Sequence, residues 1–197
     1  MKTLRLFFLI IAPGILSVPA VKAQNTKINF GIKAGVNMAS LQTKLTGISE
    51  NNWKIGYNTG VFARIGNRWY FQPEFAYRKL QNEYKFQAKK YSPTFHQLNL
   101  PLMVGYKIIN KESIKFRLSI GPDLTYNLNK PEAPSLVEYK RFIVGAVLVA
   151  GVDFDDISID VSYTGNVTLT TKVNADDLKK NNTNRGIIAL SVGFRIL

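Results

Sequence analysis

This sequence predicts an all-β fold, an eight-stranded, antiparallel, up-and-down transmembrane β-barrel. Eight stretches alternate apolar residues with polar or small ones, and a period of two is that of a β-strand. The connectors between the stretches alternate between long and short until the chain ends. An export signal precedes the first stretch. Together, these three observations are typical of a small barrel in an outer membrane.

The N-terminus predicts a secretory signal over residues 1–23. Lys2 and Arg5 precede an apolar run from Leu6 to Leu16, and small residues suit cleavage after Ala23. An N-terminal membrane anchor is the alternative, but proline and glycine interrupt a run that is already short for a spanning helix. Removing the three basic residues of the signal lowers the formal charge from +13 to +10. We expect residues 24–197 to form one barrel domain.

The composition narrows the class of the mature chain. It has no cysteine, so no disulfide holds it, and its stability must come from packing or from backbone pairing. No later stretch reaches the ~18 to 20 continuous apolar residues of a spanning helix. The richest, Phe142–Val152, has eleven residues, of which two are glycine. The chain is therefore either a soluble exported domain or a membrane barrel.

The alternation predicts eight strands in chain order. The first, Ile28–Met38, places six apolar side chains on one face and Lys33, with polar residues and glycines, on the other. The others are predicted at Trp53–Ile65, Trp69 to about Leu80, Gln97–Ile108, Ile114 to about Leu128, Tyr139–Val152, Ile157–Thr164 and Ile188–Ile196. The long connectors are residues 41–52, 81–95, 129–138 and 166–184, and the short turns are residues 66–68, 110–113 and 153–156.

Local residue types explain how these elements turn and bend. Gly66 and Asn67 tolerate positive φ, so they suit the first tight reversal. Pro73 cannot donate a hydrogen bond to a ladder and predicts an irregularity in the third strand. Two prolines exclude regular structure from the connector at residues 129–138. Phe62 breaks the alternation of the second strand, and the sixth strand is apolar on both faces, which leaves its register open.

The polar faces of the strands predict the barrel interior. They are rich in glycine and carry charges of both signs, and an eight-stranded barrel is just wide enough for side chains to fill. A soluble barrel of lipocalin type would bury its apolar face and show charge outside. Aromatic residues near both ends of the apolar faces predict two interfacial girdles. We expect lipid outside, the short turns and both termini in the periplasm, and four long loops outside the cell.

Charged residues on the polar faces are the candidate lumen network. Buried charges must pair, so we expect a structural plug of salt bridges. The alternative is a narrow, anion-preferring pore, which the excess of Lys and Arg over acids suggests. The candidates are Lys33, Lys54, Arg64, Glu74, Arg78, Lys107, Arg117, Asp123, Asp160 and Arg195.

Four segments in the same order resemble a known family. They are Phe30–Asn37 (FGIKAGVN), Gln72–Tyr77 (QPEFAY), Leu98–Tyr106 (LNLPLMVGY) and Gly121–Asp123 (GPD). They resemble the PorT-like outer-membrane β-barrel family of Bacteroidota, and the likeness covers essentially the whole mature chain. The resemblance implies a small eight-stranded barrel of the kind often labelled porin-family, whose members mostly lack an assigned activity. Some relatives are tied to protein secretion.

Few residues of the types that carry chemistry are present. His96 is the only histidine, which excludes a histidine metal cluster. With Ser92 it would form a candidate lipid-modifying pair at the outer rim, but we expect a histidine bonded to loop backbone. Asp153, Asp155 and Asp156 offer oxygen ligands that calcium accepts, although their turn is too short to wrap a cation. We expect no catalytic residue, no cofactor and no metal site.

The basic loops predict an anionic partner. They carry Lys44, Lys85, Lys89, Lys90, Lys130, Lys140, Arg141, Lys172, Lys179, Lys180 and Arg185. Outer-membrane lipid and the phosphates of lipopolysaccharide suit this rim. Export and the absence of a basic helix argue against nucleic acid. We expect a non-enzymatic structural or interaction role in the envelope that displays four loops. The alternatives are the narrow pore, a barrel subunit of a protein-secretion or uptake complex and, last, a lipid-modifying enzyme.

Overall fold

Eight long antiparallel strands close into a barrel. The computed structural model describes residues 27–42, 48–86, 89–111, 113–131, 137–166, 171–173 and 184–196. The barrel strands are Ile28–Gln42, Ile55–Gly66, Trp69–Phe86, Thr94–Asn110, Ile114–Asn127, Phe142–Phe154, Ile157–Asn166 and Asn184–Arg195. Consecutive strands pair antiparallel, and the first also pairs with the eighth. The predicted fold class is confirmed, while the signal at residues 1–23 lies outside the described residues and stays a prediction.

Strand structure continues into the predicted long connectors. Ile48–Trp53 and Lys89–Tyr91 both pair with the far end of the third strand, which runs to Phe86 rather than ending near Leu80. Val137–Tyr139 pairs with Thr171–Val173. The prediction of a connector without strands at residues 81–95 is wrong because these segments supply hydrogen-bonding partners for the extended backbone. No helix in the described ranges is long and apolar enough to cross a membrane.

The turns and irregularities follow from residue type. Gly66 has φ +126°, and Asp155 is the non-glycine residue of positive φ in the described chain, at 47°. Aspartate tolerates this left-handed conformation better than most side chains. The ladder between the second and third strands passes from the pair Phe62 and Glu74 to the pair Ile65 and Phe71, skipping the positions opposite Pro73 and its neighbour. The irregularity predicted at Pro73 is confirmed.

The two faces of the barrel wall differ as the alternation predicts. Phe30, Val61, Phe75, Val104 and Leu148 point outward and are each 51–54% exposed. The polar residues of the same strands point inward and are buried. An aliphatic and aromatic outer surface is what lipid requires.

The structure fixes the register of the sixth strand and explains Phe62. The inward positions of the sixth strand are Ile143, Gly145, Val147, Val149, Gly151 and Asp153. Asp153 therefore belongs to this strand, and the prediction that it lies in the turn is wrong. Phe62 points inward and is buried, with its ring against Gly31 and Gly193. The two glycines leave the volume that this large side chain fills.

Candidate functional site

Arg117 lies at the centre of an ion-pair network inside the barrel. Its side chain is fully buried. Its Nε donates to Asp153 Oδ1 at 2.9 Å, and its Nη2 donates to Asp160 Oδ1. The other oxygen of Asp153, Oδ2, accepts a hydrogen bond from Arg64 Nη1 at 2.8 Å. Two arginines thus share one carboxylate, which is the arrangement that lets such charges stay buried.

A second set of contacts connects Arg64 back to Asp160 and so closes the network into a ring. Lys33 Nζ donates to Glu74 Oε1 at 2.7 Å and lies 3.1 Å from Asp160 Oδ2, an ion pair without hydrogen-bond geometry. Gln72 Nε2 donates to the same Glu74 oxygen at 2.7 Å, and Gln72 Oε1 accepts from Arg64 Nε at 2.7 Å. We call the seven residues the charge ring: Lys33, Arg64, Gln72, Glu74, Arg117, Asp153 and Asp160. Three cations and three carboxylates leave the charge ring neutral.

Small residues make space for the charge ring. A Cβ atom on Gly151 would lie 2.6 Å from the guanidinium carbon of Arg117. Any larger residue at this position would push the arginine away from its two carboxylates. Glycine on the polar face of the sixth strand is therefore a packing requirement of the lumen.

An apolar layer closes the loop-side end of the lumen. It consists of Ala39, Leu80, Phe95 and Ile187, and each of these residues is at most 4% exposed. Between the charge ring and the apolar layer lies a cavity of about 40 Å³, which has room for only a few water molecules. Lys33, Asn58, Arg78, Met103 and Ser191 are among its lining residues. The barrel therefore holds a small internal chamber between two packed layers.

The structure brings together five of the residues predicted for the lumen network and separates the others. Lys33, Arg64, Glu74, Arg117 and Asp160 lie in the charge ring. Arg78 pairs separately with Asp123 at 3.5 Å. Lys107 is buried with its Nζ 5.9 Å from the centre of the Tyr70 ring, and no described carboxylate lies within 4.0 Å of it.

Two predicted lumen residues lie at the barrel mouths. Arg195 sits at the turn-side end, 3.1 Å from Asp156, whose side chain is 62% exposed. Lys54 is exposed at the loop-side end and pairs with Glu83 at 3.1 Å. Lys54 lies between the strands Ile48–Trp53 and Ile55–Gly66 with its side chain 47% exposed, so it is not one of the buried charges of the lumen.

The network also contains two residues that the sequence did not indicate, Gln72 and Asp153. Gln72 shares the inward face of its strand with Glu74, but it carries no charge and so is not among the predicted lumen charges. Asp153 was assigned to the turn, although it follows Gly151 by two positions and so shares its face. Gly145 and Gly151 mark the inward face of this strand, and the same alternation continued forward places Asp153 inside.

Neither of the weaker candidate sites is assembled. His96 Nδ1 forms a short hydrogen bond with the Tyr77 hydroxyl, and the described contacts of His96 do not include Ser92. Asp153 points into the barrel, while Asp155 and Asp156 are exposed at the turn. Among the described residues, no three His, Asp or Glu side chains lie close enough to hold a metal ion. The candidate calcium cluster is not assembled, because Asp153 is paired with Arg64 and Arg117, and Asp156 is paired with Arg195.

Aromatic residues and cations meet on the outer surface near both ends. At the turn side, Trp69 and Tyr106 have ring centres 4.8 Å apart, and Arg68 lies 5.2 Å from the centre of Tyr106. At the loop side, four residues are in contact, Tyr57, Tyr77, Lys79 and His96, which we call the rim cluster. Lys79 Nζ lies 5.8 Å from the centre of Tyr57, and the Tyr77 ring centre is 6.1 Å from that of Tyr57 and 6.0 Å from that of His96.

A closed barrel with an apolar exterior, two aromatic girdles and a charged, filled interior defines the class of transmembrane β-barrels. The family model described as "Outer membrane protein beta-barrel domain" matches residues 22–172. The chain belongs to this family and is a bacterial outer-membrane protein.

Solved outer-membrane barrels are similar to this chain at low sequence identity. OprG of Pseudomonas aeruginosa is 12% identical, with a TM-score of 0.53 over 87% of this chain and 95% of that chain. Ail of Yersinia pestis, solved with the heparin analogue sucrose octasulfate, is 15% identical, with a TM-score of 0.49 over 86% and 99%. The outer membrane enzyme PagL is 14% identical, with a TM-score of 0.41 over 85% and 99%. Among curated proteins, none matches this chain.

Proposed function

We propose that this protein is a non-conducting, non-catalytic barrel that anchors and displays its loop-side surface to lipopolysaccharide and other envelope partners. The observation that carries the proposal is the double closure of the lumen by the charge ring and the apolar layer. Among the described residues, the chamber of about 40 Å³ between these two layers has room for only a few water molecules, which is too little for a solute to pass.

The loop-side surface supports a display role. The third strand has 18 residues, whereas about 9–11 suffice to cross a bilayer. Its far end pairs with two segments of the neighbouring loops, and two further loops pair with each other. In our proposal this ordered surface faces the outside, and the short turns and both termini face the periplasm, because outer-membrane barrels have short periplasmic turns.

Conductance tests the closed lumen. Wild-type protein in a planar bilayer should give no unitary steps above the background of the lipid alone. Protection of the same barrel from added protease in these bilayers shows that it has inserted, so that the absence of steps then reports a closed lumen. Steps in the wild type that favour anions would refute the proposal and establish the narrow pore instead.

Single cysteines test the orientation, since the natural chain contains none. Lys130→Cys lies after the fifth strand at the loop side, and Lys111→Cys lies in a short turn. A membrane-impermeant maleimide should label Lys130→Cys on intact cells and label Lys111→Cys only after the outer membrane is opened. The reverse labelling would invert the proposed topology.

The PorT-like resemblance leads to a second role, a barrel subunit of a protein-secretion complex. Two of the motifs that carry it, Phe30–Asn37 and Gln72–Tyr77, include three members of the charge ring, Lys33, Gln72 and Glu74. Extraction of the native protein in mild detergent separates the two roles. Migration of the barrel alone favours the display role, and stoichiometric co-purification with other envelope proteins favours the complex.

A further inference from the structure

The rim cluster lies at the outer edge of the lipid-facing surface. Nine residues of the third strand, from Trp69 in the turn-side girdle to Tyr77, span the apolar band, and the next outward residue is Lys79. On the fourth strand His96 pairs directly with Lys79, and Tyr106 pairs with Trp69. Two neighbouring strands therefore place a lysine and a histidine side by side at the level of lipid headgroups.

The rim cluster presents hydrogen-bond donors without a protein anion. Among the described residues, no carboxylate lies within 4.0 Å of Lys79, and the Tyr57 ring packs beside its ammonium group. A neutral imidazole whose Nδ1 accepts from the Tyr77 hydroxyl carries its proton on Nε2, so that nitrogen is a donor. The Lys79 ammonium group and the His96 Nε2–H form a pair of donors that suits a phosphate.

The surface beneath the rim cluster is apolar. On the fourth strand the outward residues below His96 are Leu98 and Leu100, and Leu100 is 38% exposed. A lipid whose phosphate meets Lys79 and His96 would place its acyl chains against this strip. A free phosphate would leave the strip uncovered.

We propose that the rim cluster binds a phosphate of a phosphorylated glycolipid in the outer leaflet, the lipid A portion of lipopolysaccharide. The site deepens the proposed function and rests on its orientation, because only the outer leaflet carries this lipid. Lys79 and His96 bind the phosphate. The Tyr57 ring positions the ammonium group of Lys79, and the Tyr77 hydroxyl positions the imidazole of His96.

Native mass spectrometry of the purified barrel in detergent tests the site. The probes are phosphorylated lipid A, the same lipid with its phosphates removed, and inorganic phosphate. Lys79→Gln combined with His96→Gln should lower retention of phosphorylated lipid A by about tenfold, the loss expected for one charge-assisted hydrogen bond. Arg68→Gln is the matched control, since it removes a cation that packs on an aromatic ring in the other girdle.

The proposal predicts which variants retain phosphorylated lipid A and which do not. Wild type, Arg68→Gln and the charge-preserving Lys79→Arg should retain phosphorylated lipid A, and all variants should bind the dephosphorylated lipid weakly and equally. Equal retention by the double variant and the wild type overturns the proposal, as does an equal loss in Arg68→Gln. Preference for inorganic phosphate over the lipid overturns the lipid assignment. A heat-modifiable gel shift confirms that each variant is folded.

The site and the orientation can fail separately. Binding in detergent does not depend on topology, whereas labelling of Lys130→Cys and Lys111→Cys in cells does not depend on lipid binding. Loss of the first result alone removes the lipid site, and loss of the second alone removes the proposed orientation.

Discussion

Replacing Arg117 by Met should strongly destabilise the barrel. Methionine roughly preserves the side-chain volume, so the effect is chiefly that of the lost charge. Arg117 donates to Asp153 and Asp160, and all three side chains are at most 4% exposed. Removing one member of such a buried ion pair costs about 3–5 kcal/mol of unfolding free energy.

The remaining contacts of the charge ring set the value within that range. Without Arg117, Asp153 still has Arg64 at 2.8 Å, and Asp160 still has Lys33 at 3.1 Å. Neither carboxylate is left without a cation. We therefore expect a loss near the lower limit, about 3 kcal/mol.

A second variant separates charge imbalance from lost packing. Asp160→Asn alone leaves the charge ring with one excess positive charge, whereas Arg117→Met with Asp160→Asn restores neutrality. The pairs of Lys33 with Glu74 and Arg64 with Asp153 survive in the double variant. Its loss should be smaller than the sum of the two single losses by about 0.5–3 kcal/mol.

Urea unfolding in lipid vesicles measures these differences, with the fluorescence of the lipid-facing Trp69 as the signal. Asp156→Asn is the control, because it breaks the exposed pair with Arg195 and should change stability by at most about 1 kcal/mol. Strict additivity of Arg117→Met and Asp160→Asn, or a loss for Arg117→Met no larger than that for Asp156→Asn, would refute the coupled charge ring.

Three further predictions concern packing and environment, each measured by the same unfolding assay. Gly105→Ala should lose about 1–3 kcal/mol, because its Cβ would overlap the Tyr70 ring, and an unchanged midpoint would contradict that contact. Val61→Lys, halfway along the lipid-facing surface, should lose about 2–4 kcal/mol, while Ile65→Lys near the turn side should lose about 0–1 kcal/mol; equal losses would argue against a membrane in this position. Phe95→Ala should lose about 3–5 kcal/mol by opening a cavity in the apolar layer, and a loss below about 1 kcal/mol would show that the layer is loosely packed.

The outward face of the barrel was predictable because lipid imposes one requirement on every strand. Each outward position must be apolar whichever strands are neighbours, so residues such as Val61 and Val104 report their environment from the local sequence alone. The order and pairing of the strands then follow from the short turns, which force consecutive strands to be antiparallel neighbours.

The interior was less predictable because its layers differ in chemistry. The sixth strand has Val147 and Val149 pointing inward beside Met103, so alternation of apolar and polar residues is lost there. Asp153 was misplaced for this reason. The pairing partners inside the charge ring are also set by the closure of the barrel, since Lys33 and Asp160 lie on strands far apart in the chain.

The strand extensions at the loop side could not be predicted from the local sequence either. The segment Gln81–Phe86 is mostly polar and carries one glutamate and one lysine among its six residues, a composition that is typical of a loop. It is extended because Ile48–Trp53 pairs with it. Backbone pairing with a distant segment decided the structure where side-chain pattern favoured a loop.

Correcting the positions of three residues removes the main argument for an anion pore. That argument rested on seven cations and three carboxylates assigned to the lumen, but Lys54 and Arg195 lie at the mouths and Asp153 lies inside. Five cations then face four carboxylates: Lys33, Arg64, Arg78, Lys107 and Arg117 against Glu74, Asp123, Asp153 and Asp160. The lumen is therefore nearly neutral, so most of the formal charge of +13 is carried elsewhere in the chain. A neutral, packed lumen favours structural support, and the cations outside it make the surface the place to look for binding.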